Sequence, residues 1–389
     1  MTASAAVRTS QSVVGRHVLA IQDTTSVRSD VKGGGGLNLH AMVAVDGEDG
    51  ALLGLIEAMY LTRTSGRRQG RKAAAFEDKE SHRWLQGARS AALICSGARR
   101  VTVIADRESD IYEAFVHCPE GVELLIRAAQ DRALGDKGRL FAVLDALPEA
   151  GRRPLELPAR TGHTPRTATM AARIIETQIK RPGNRAASAG LPAAVEVTVI
   201  DIREVDPPAG APPLHWRLLT TGQVASANEA FALADLYRRR WTIEQLFRSL
   251  KTEGFAIEAL RQAEDLTRQK LVTVLLVAAV IVQQLVHARD GQPSNQKTPP
   301  RPILDAFDED DIPLIEEYCA DLEGKTARQK NPHPRRSLAY ASWVCARLGG
   351  WTGYYGKPGP IVMLRGWRMF QNAKAGWTMA NIRAAIANV

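Results

Sequence analysis

The hydrophobic and polar positions of the chain predict a mixed α/β fold. Short apolar runs rich in β-branched residues are typical of buried strands. An Asp-Gly segment at residues 46–50, flanked by two such runs, predicts a β-hairpin. The predicted strands are residues 18–21, 39–45, 51–59, 101–104 and 122–127. A helix over residues 76–95 is predicted to connect the hairpin to the strand that starts at residue 101.

Residues 237–251 contain strong helix formers and neither Gly nor Pro, so one continuous helix is predicted. At about 100° per residue, its polar residues form a stripe roughly 60° wide, and the opposite side is apolar and should face a core. The polar stripe consists of Tyr237, Arg240, Glu244 and Lys251, and the apolar side of Leu236, Ile243, Leu246, Phe247 and Leu250. Alone, the Arg240–Glu244 pair would be a solvated surface pair, worth roughly 0.2–0.5 kcal/mol.

Two further carboxylates, Asp23 and Asp106, each follow a predicted strand. Folds of the α/β class place functional side chains at the carboxyl ends of strands. With Glu244, the two aspartates would form an all-oxygen site suited to Mg²⁺ or Mn²⁺, which can hold two ions about 4 Å apart across a phosphodiester. After Asp106, Ser109 or Asp110 is predicted to cap a helix that runs through Phe115.

Composition fits a large enzyme with a polyanionic partner. The 389 residues are enough for two or three domains, and the formal net charge of +9 favours nucleic acid, although such a charge also occurs without it. Four scattered Cys residues indicate reduced core positions of a cytoplasmic protein. The apolar run at residues 271–286 contains polar residues and is shorter than about 20 residues, so it predicts a buried helix and no membrane partner.

The spacing Tyr, two residues, Arg, three residues, Glu, six residues, Lys resembles the signature of the IS-four family of bacterial insertion-sequence transposases. Other segments resemble the same family, and the similarity covers almost the whole chain from Asp23 onward. These segments are QDTTS, KESHRWL, ADRESDIYE, LGGW and LRGW. The resemblance implies a ribonuclease-H-like catalytic core in which Asp23, Asp106 and Glu244 form a metal-binding DDE triad. It also implies two Mg²⁺ ions, for which Mn²⁺ can substitute, and double-stranded DNA as the partner.

The resemblance further implies DNA contacts outside the triad. Tyr237, Arg240 and Lys251 would grip the phosphate beside the scissile bond, and Arg127 is assigned the same role. Trp216 would stack on a flipped base, although a Trp beside polar residues is usually a half-buried packing residue. In the implied reaction, a nick at the transposon end is followed by a hairpin, its opening and strand transfer into target DNA.

The predicted organisation is a catalytic core with two additions. Residues 17–127 and 226–265 form the core, residues 128–225 a β-rich insertion, and residues 266–389 a C-terminal helical domain. By resemblance, that last domain supports a homodimer on DNA. Residues 1–16 have no clear periodicity and are predicted to be a loose lead-in, whereas relatives usually carry an end-recognising helical domain before the first Asp.

Two other function classes stay open at this stage. A ribonuclease-H-like nuclease would need the triad but neither Trp216 nor the phosphate-gripping residues. A truncated, inactive remnant would only bind DNA or a partner transposase. A basic segment at residues 63–72 is either a solvated loop or a phosphate-contacting one.

Overall fold

The computed structural model describes residues 2–27, 37–62, 80–135, 138–159, 164–183, 190–210, 212–252, 254–259, 264–291 and 300–387. The strands are β1 His17–Val27, β2 Leu37–Asp46, β3 Leu52–Thr62, β4 Arg100–Ala105, β5 Val122–Arg127, β6 Ala133–Leu134, β7 Gly138–Arg139, β8 Gly151–Leu157, β9 Arg166–Lys180, β10 Ala194–Val205 and β11 His215–Thr220. The helices are α1 Thr2–Ser12, α2 His82–Ile94, α3 Tyr112–Val116, α4 Leu140–Ala146, α5 Ala227–Arg238, α6 Trp241–Lys251, α7 Asp265–Ala288, α8 Ile312–Leu322, α9 Leu338–Leu348 and α10 Pro360–Ala387.

One mixed sheet organises the described chain, in the order β3-β2-β1-β4-β5-β11-β10-β9-β6-β7, and β8 pairs with β9. β1, β2 and β3 form an antiparallel meander, and β4 and β5 run parallel to β1. This arrangement confirms the mixed α/β class with a ribonuclease-H-like core and a C-terminal helical region. The β-rich strands that follow β5 extend the same sheet, because β11 pairs antiparallel with β5.

Alternation along the central strands gives the sheet two buried faces. On one face, Leu19, Ile21 and Ile104 join a core formed with α5, α6 and α7. On the other, Val18 and Val103 join a core formed with α2 and α3. Burial on both faces explains why β1 and β4 read as continuous apolar runs in the sequence.

The prediction of a loose lead-in at residues 1–16 is wrong, because residues 2–12 form α1, which packs on β3. The buried residues of α1 are small or hydroxylated, so this segment of the sequence shows no strong apolar periodicity. The Thr9 hydroxyl lies 2.7 Å from the Leu55 carbonyl oxygen, and a Cβ added at Gly54 would lie 2.2 Å from that hydroxyl oxygen. Close approach of the helix to the strand therefore depends on Gly54 and Thr9.

The predicted continuous helix over residues 237–251 is divided in two. α5 ends at Arg238 and α6 begins at Trp241. The backbone between them forms a tight turn, in which the Arg240 N–H donates a hydrogen bond to the Tyr237 carbonyl oxygen at 3.0 Å. Arg239 donates to the carbonyl oxygens of Asp46 and Glu48, at 2.7 and 2.9 Å. The break thus occurs where an arginine is held by the β2–β3 hairpin, a partner that local sequence cannot indicate.

Two further boundaries differ from the predictions. β1 continues beyond Asp23 to Val27, because β2 keeps pairing with it as far as Leu37. Asp110 does not cap a helix: its carboxylate accepts from the backbone N–H groups of Ala129 and Gln130, and α3 begins at Tyr112 after Ile111. α2 begins at His82, and residues 76–79 lie outside the described part.

The C-terminal region is helical, as predicted, and packs on the β1–β3 side of the sheet. α7 is long and apolar enough to cross a membrane by length and composition, but 56% of its apolar window is buried. It contacts β3, α9 and α10, as the core helix of a soluble protein would. α9 lies within this region, and Trp343 on it is buried in the core.

We expect Thr9→Val to lower the free energy of unfolding by about 1 to 2 kcal/mol, because the buried Leu55 carbonyl would lose its hydroxyl partner in a side chain of equal shape. Urea unfolding at neutral pH measures the effect. Ser10→Ala is the matched control, since the Ser10 hydroxyl donates only to the Val7 carbonyl in an exposed bond. Equal stability of the two variants would contradict the anchoring of α1 through Thr9.

Candidate active site

Sheet register brings the two aspartates side by side. β1 and β4 are parallel, with Ile21 opposite Ile104 at the end of their shared ladder. Asp23 and Asp106 each lie two positions further on, so both continue the sheet face of Ile21 and Ile104. This face is the one covered by α5, α6 and α7.

Local hydrogen bonds fix one oxygen of each aspartate. Asp23 Oδ1 accepts from the Thr24 backbone N–H at 2.7 Å. Asp106 caps a short 3-10 turn over residues 107–109, and its Oδ1 accepts from the Glu108 backbone N–H at 2.9 Å. The remaining Asp23 oxygen is engaged by Arg240.

Glu244 lies on α6 and is linked to Asp23 through Arg240. Its helix, α6, buries Ile243, Leu246 and Leu250 against the sheet. The Arg240 guanidinium bridges two of the predicted site residues: Nη1 donates to Asp23 Oδ2 at 2.9 Å, and Nη2 donates to Glu244 Oε1. The turn between α5 and α6 therefore places one cation between two carboxylates.

Asp23 is influenced by the charges of both other carboxylates. Its pKa is raised to about 6, chiefly by burial and also by the nearby charges of Asp106 and Glu244. The Thr24 backbone N–H and the Arg240 guanidinium act in the opposite direction by stabilising the anion. Asp23 is thus a carboxylate for which an added cation is favourable.

Three predicted DNA-contacting residues surround the carboxylates. Tyr237 is buried, and burial raises the pKa of its phenol, which is therefore protonated at neutral pH. Arg127 Nη2 donates to the His215 carbonyl oxygen at 3.2 Å. Burial lowers the pKa of Arg127, and the neighbouring charges of Arg107 and Arg240 lower it further. Tyr237, Arg127 and Arg240 thus form a cationic rim beside Asp106.

The other two predicted contacts lie further from the carboxylates. Lys251 is at the far end of α6, about two turns beyond Glu244, and its amine lies 3.6 Å from a Glu258 carboxylate oxygen. Trp216 is half-buried in β11 and packs against the core. It is the neighbour of His215, whose carbonyl binds Arg127, so it lies beside the rim. The basic segment at residues 63–72 lies outside the described part.

The donor set suits a hard divalent cation, because three carboxylates supply only oxygen. Within the part of the chain that the structure describes, no group of three His, Cys, Asp or Glu side chains has metal-binding geometry. The Arg240 guanidinium lies between Asp23 and Glu244 and pairs with both carboxylates. The residues fit a metal ion provided that Arg240 leaves this position.

A buried polar network behind Asp23 was missed by sequence reasoning. Gln22 and Thr24 point to the face opposite Asp23, where His40 Nδ1 lies 2.9 Å from Thr24 Oγ1 and His40 Nε2 lies 3.2 Å from Gln22 Oε1. Burial and the charge of Arg83 lower the pKa of His40 to about 3, so the ring is neutral. Arg83 also donates to Thr24 Oγ1 at 3.2 Å. The polar residues of QDTTS indicated a functional segment in the sequence, but their partner His40 is identified only by the fold.

The chain matches a known protein family over much of its length. The family model described as "Transposase DDE domain" matches residues 39–281, more than half of the chain. The matched range runs from β2 into α7 and includes Asp106 and Glu244, whereas Asp23 lies before its start.

We expect Asp23→Asn to raise the free energy of unfolding at pH 8 in chelator. The pKa of Asp23 is about 6 in the folded chain against 3.8 ordinarily, so the fold is penalised for the ionised carboxylate above pH 6, and the penalty disappears below pH 4. The increase in the free energy of unfolding over wild type should be on the order of 1 to 3 kcal/mol at pH 8 and should vanish near pH 4. Urea unfolding across this range tests it, with the exposed Asp321→Asn as control. A loss of stability at pH 8 would show that the Arg240 bond outweighs burial.

Proposed function

The chain belongs to the transposase DDE domain family, and from this membership we propose that it cleaves transposon ends and transfers them into target DNA with Asp23, Asp106 and Glu244 as the triad. The observation that carries the proposal is that Arg240 bridges Asp23 and Glu244, while the charge of Asp106 acts on both Asp23 and Arg240. We place the chain in the IS-four group because the spacing from Tyr237 to Lys251 is that group's signature.

The triad is proposed to hold two Mg²⁺ or Mn²⁺ ions. When bound, such ions supply a lower pKa for an attacking water or 3′-hydroxyl and positive charge opposite the reacting phosphate. The chain's own part is to keep Asp23 and Asp106 at matched positions on neighbouring strands and Glu244 on a helix held by the core. Arg240 gives up its two carboxylates and becomes available to the DNA.

The cationic rim is proposed to hold the phosphate beside the scissile bond. Arg240 and Arg127 donate charge-assisted hydrogen bonds to phosphate oxygens, and the protonated Tyr237 hydroxyl adds a neutral donor. Lys251, two turns along α6, contacts the backbone further from the reacting bond. None of these side chains can serve as a metal ligand in its ordinary protonation state.

A groove beside Asp106 is proposed as part of the DNA path. The cavity is about 510 Å³, and its lining includes Arg107, the residue after Asp106. Arg139, Lys180 and Arg181, from β7 and the end of β9, line it as well, together with the carboxylates of Glu108, Asp110 and Asp131. The cations lie on both the core and the added strands, so a DNA backbone would run between them.

Hairpin formation and dimerisation complete the proposed reaction. Trp216, beside the Arg127 rim, would receive a flipped base when the strand folds back. The C-terminal helices would support a homodimer on DNA; α10 exposes Ile361, Met369 and Met379, apolar side chains of the kind found at interfaces.

We expect Glu244→Gln to abolish cleavage of an end-containing duplex while leaving DNA binding in chelator within about twofold of wild type, because the lost carboxylate serves metal and no phosphate contact. Cleavage is followed on denaturing gels with Mn²⁺, and binding by fluorescence anisotropy. Isothermal titration should show Mn²⁺ binding that Asp106→Ala removes. Glu258→Gln, which neutralises the partner of Lys251, is the control; retained cleavage in Glu244→Gln would refute the triad.

Arg240→Ala and Trp216→Ala should spare nicking but reduce hairpin formation at least tenfold, because the folded-back strand needs a fixed phosphate and a stacked base, the latter worth about 1 to 3 kcal/mol. A pre-nicked duplex separates the two steps on a denaturing gel. Trp351→Ala, in the C-terminal region, is the control. Equal loss of nicking and hairpin would make the rim a general DNA-binding surface and favour a plain nuclease.

A further inference from the structure

We propose that Arg83 is a positioning residue that ties the strand carrying Asp23 to the turn carrying Asp106, and so sets the separation of the two aspartates for shared cations. The inference rests on the proposed metal-dependent function. Its basis is a set of contacts from one guanidinium on α2 to both segments.

The first contact fixes the Asp23 segment. Arg83 Nε donates to Thr24 Oγ1 at 3.2 Å, and the same hydroxyl lies 2.9 Å from His40 Nδ1. The Thr24 backbone N–H in turn donates to Asp23 Oδ1 at 2.7 Å. Thr24 is thus held from its side chain while its backbone orients the Asp23 carboxylate.

The second contact fixes the Asp106 segment. Arg83 Nη2 donates to Glu108 Oε2 at 2.7 Å, and the Glu108 backbone N–H donates to Asp106 Oδ1 at 2.9 Å. Glu108 therefore has the same relation to Asp106 and Arg83 that Thr24 has to Asp23 and Arg83. Each is bound by Arg83 through its side chain and donates its N–H to an oxygen of the aspartate.

The guanidinium is itself rigidly held. Its third nitrogen, Nη1, donates to the Glu80 carbonyl oxygen at 2.7 Å, and the guanidinium carbon lies 4.8 Å from the centre of the Trp84 ring. Only 11% of the side chain is exposed. All three nitrogens are used by the protein and little surface remains, which favours positioning over contact with DNA. A planar three-nitrogen fork can join two segments in a way that a lysine ammonium cannot.

Loss of Arg83 is expected to affect the placement of the two aspartates more than the stability of the fold. Glu108 is 65% exposed, so it returns to water when Arg83 is lost, and an ion pair of this kind contributes little to stability. Thr24 keeps His40 as a partner. Removal of Arg83 should therefore shift the two aspartates relative to each other without unfolding the chain. Groups that orient metal ligands in this way typically change metal affinity by about 10- to 100-fold when removed.

The experiment measures Mn²⁺ affinity of the full chain by isothermal titration, with urea unfolding in parallel. We expect Arg83→Ala to weaken Mn²⁺ binding about 10- to 100-fold while its unfolding midpoint stays with that of the control Arg89→Ala, an exposed arginine on the same helix. Arg89→Ala should bind Mn²⁺ like wild type. Unchanged affinity in Arg83→Ala would overturn the inference.

Glu108→Ala keeps the inference testable if Arg83→Ala folds poorly, because an exposed glutamate can be removed without loss of the fold. It should weaken Mn²⁺ binding as well, and the double variant should be no weaker than Arg83→Ala, since both act through one connection. Additive losses would overturn the proposal. Loss of DNA affinity in chelator with unchanged Mn²⁺ affinity would instead assign Arg83 to the DNA.

These outcomes are separate from failure of the proposed function. If wild type binds no Mn²⁺, the metal site and the role of Arg83 both fail. If wild type binds Mn²⁺ and Asp106→Ala does not, while Arg83→Ala binds normally, the metal site stands and only the positioning role is lost.

Discussion

Repulsion among three carboxylates is the constraint on which the site depends. At 4 Å, two unit charges interact by about 4 kcal/mol at an effective dielectric constant of 20, so the proposed triad of Asp23, Asp106 and Glu244 needs positive charge nearby if all three carboxylates are to be ionised. In the structure Arg240 supplies that cation, and the pKa of Asp23 is still raised to about 6. Burial is the main cause of this shift, and the charges of Asp106 and Glu244 add to it, so an added cation would stabilise the ionised form of Asp23.

Burial of apolar side chains outside the site offsets the free-energy cost of this repulsion. Both aspartates extend strands whose preceding residues are buried on two faces, and Glu244 belongs to a helix with three fully buried positions. Each fully buried aliphatic side chain contributes about 1.5 to 3 kcal/mol, so a few of them outweigh the local electrostatic cost. The side chains of the site are thus placed by residues that take no part in its chemistry.

Sequence reasoning succeeded where a local pattern determines structure and failed where a distant partner does. Residues 128–225, predicted to be rich in strands, contain the long strands β9 and β10, and the C-terminal region is helical as predicted. By contrast, the continuation of β1 past Asp23 depends on pairing with β2, and the break before α6 depends on the hairpin that binds Arg239. The candidate triad could be named from strand ends, helix spacing and the family resemblance, but the role of Arg83 could not, since its contacts with Thr24 and Glu108 depend on how α2 packs on the sheet.

One guanidinium cannot bridge two carboxylates and hold a phosphate at the same time. In the proposed function Arg240 passes from the first task to the second, so a cation that replaces it between Asp23 and Glu244 also provides a donor for the DNA. A phosphate brought to the rim without that cation would add negative charge to a site that already has an excess. Metal and DNA should therefore each raise the affinity for the other, because linkage between two ligands is reciprocal.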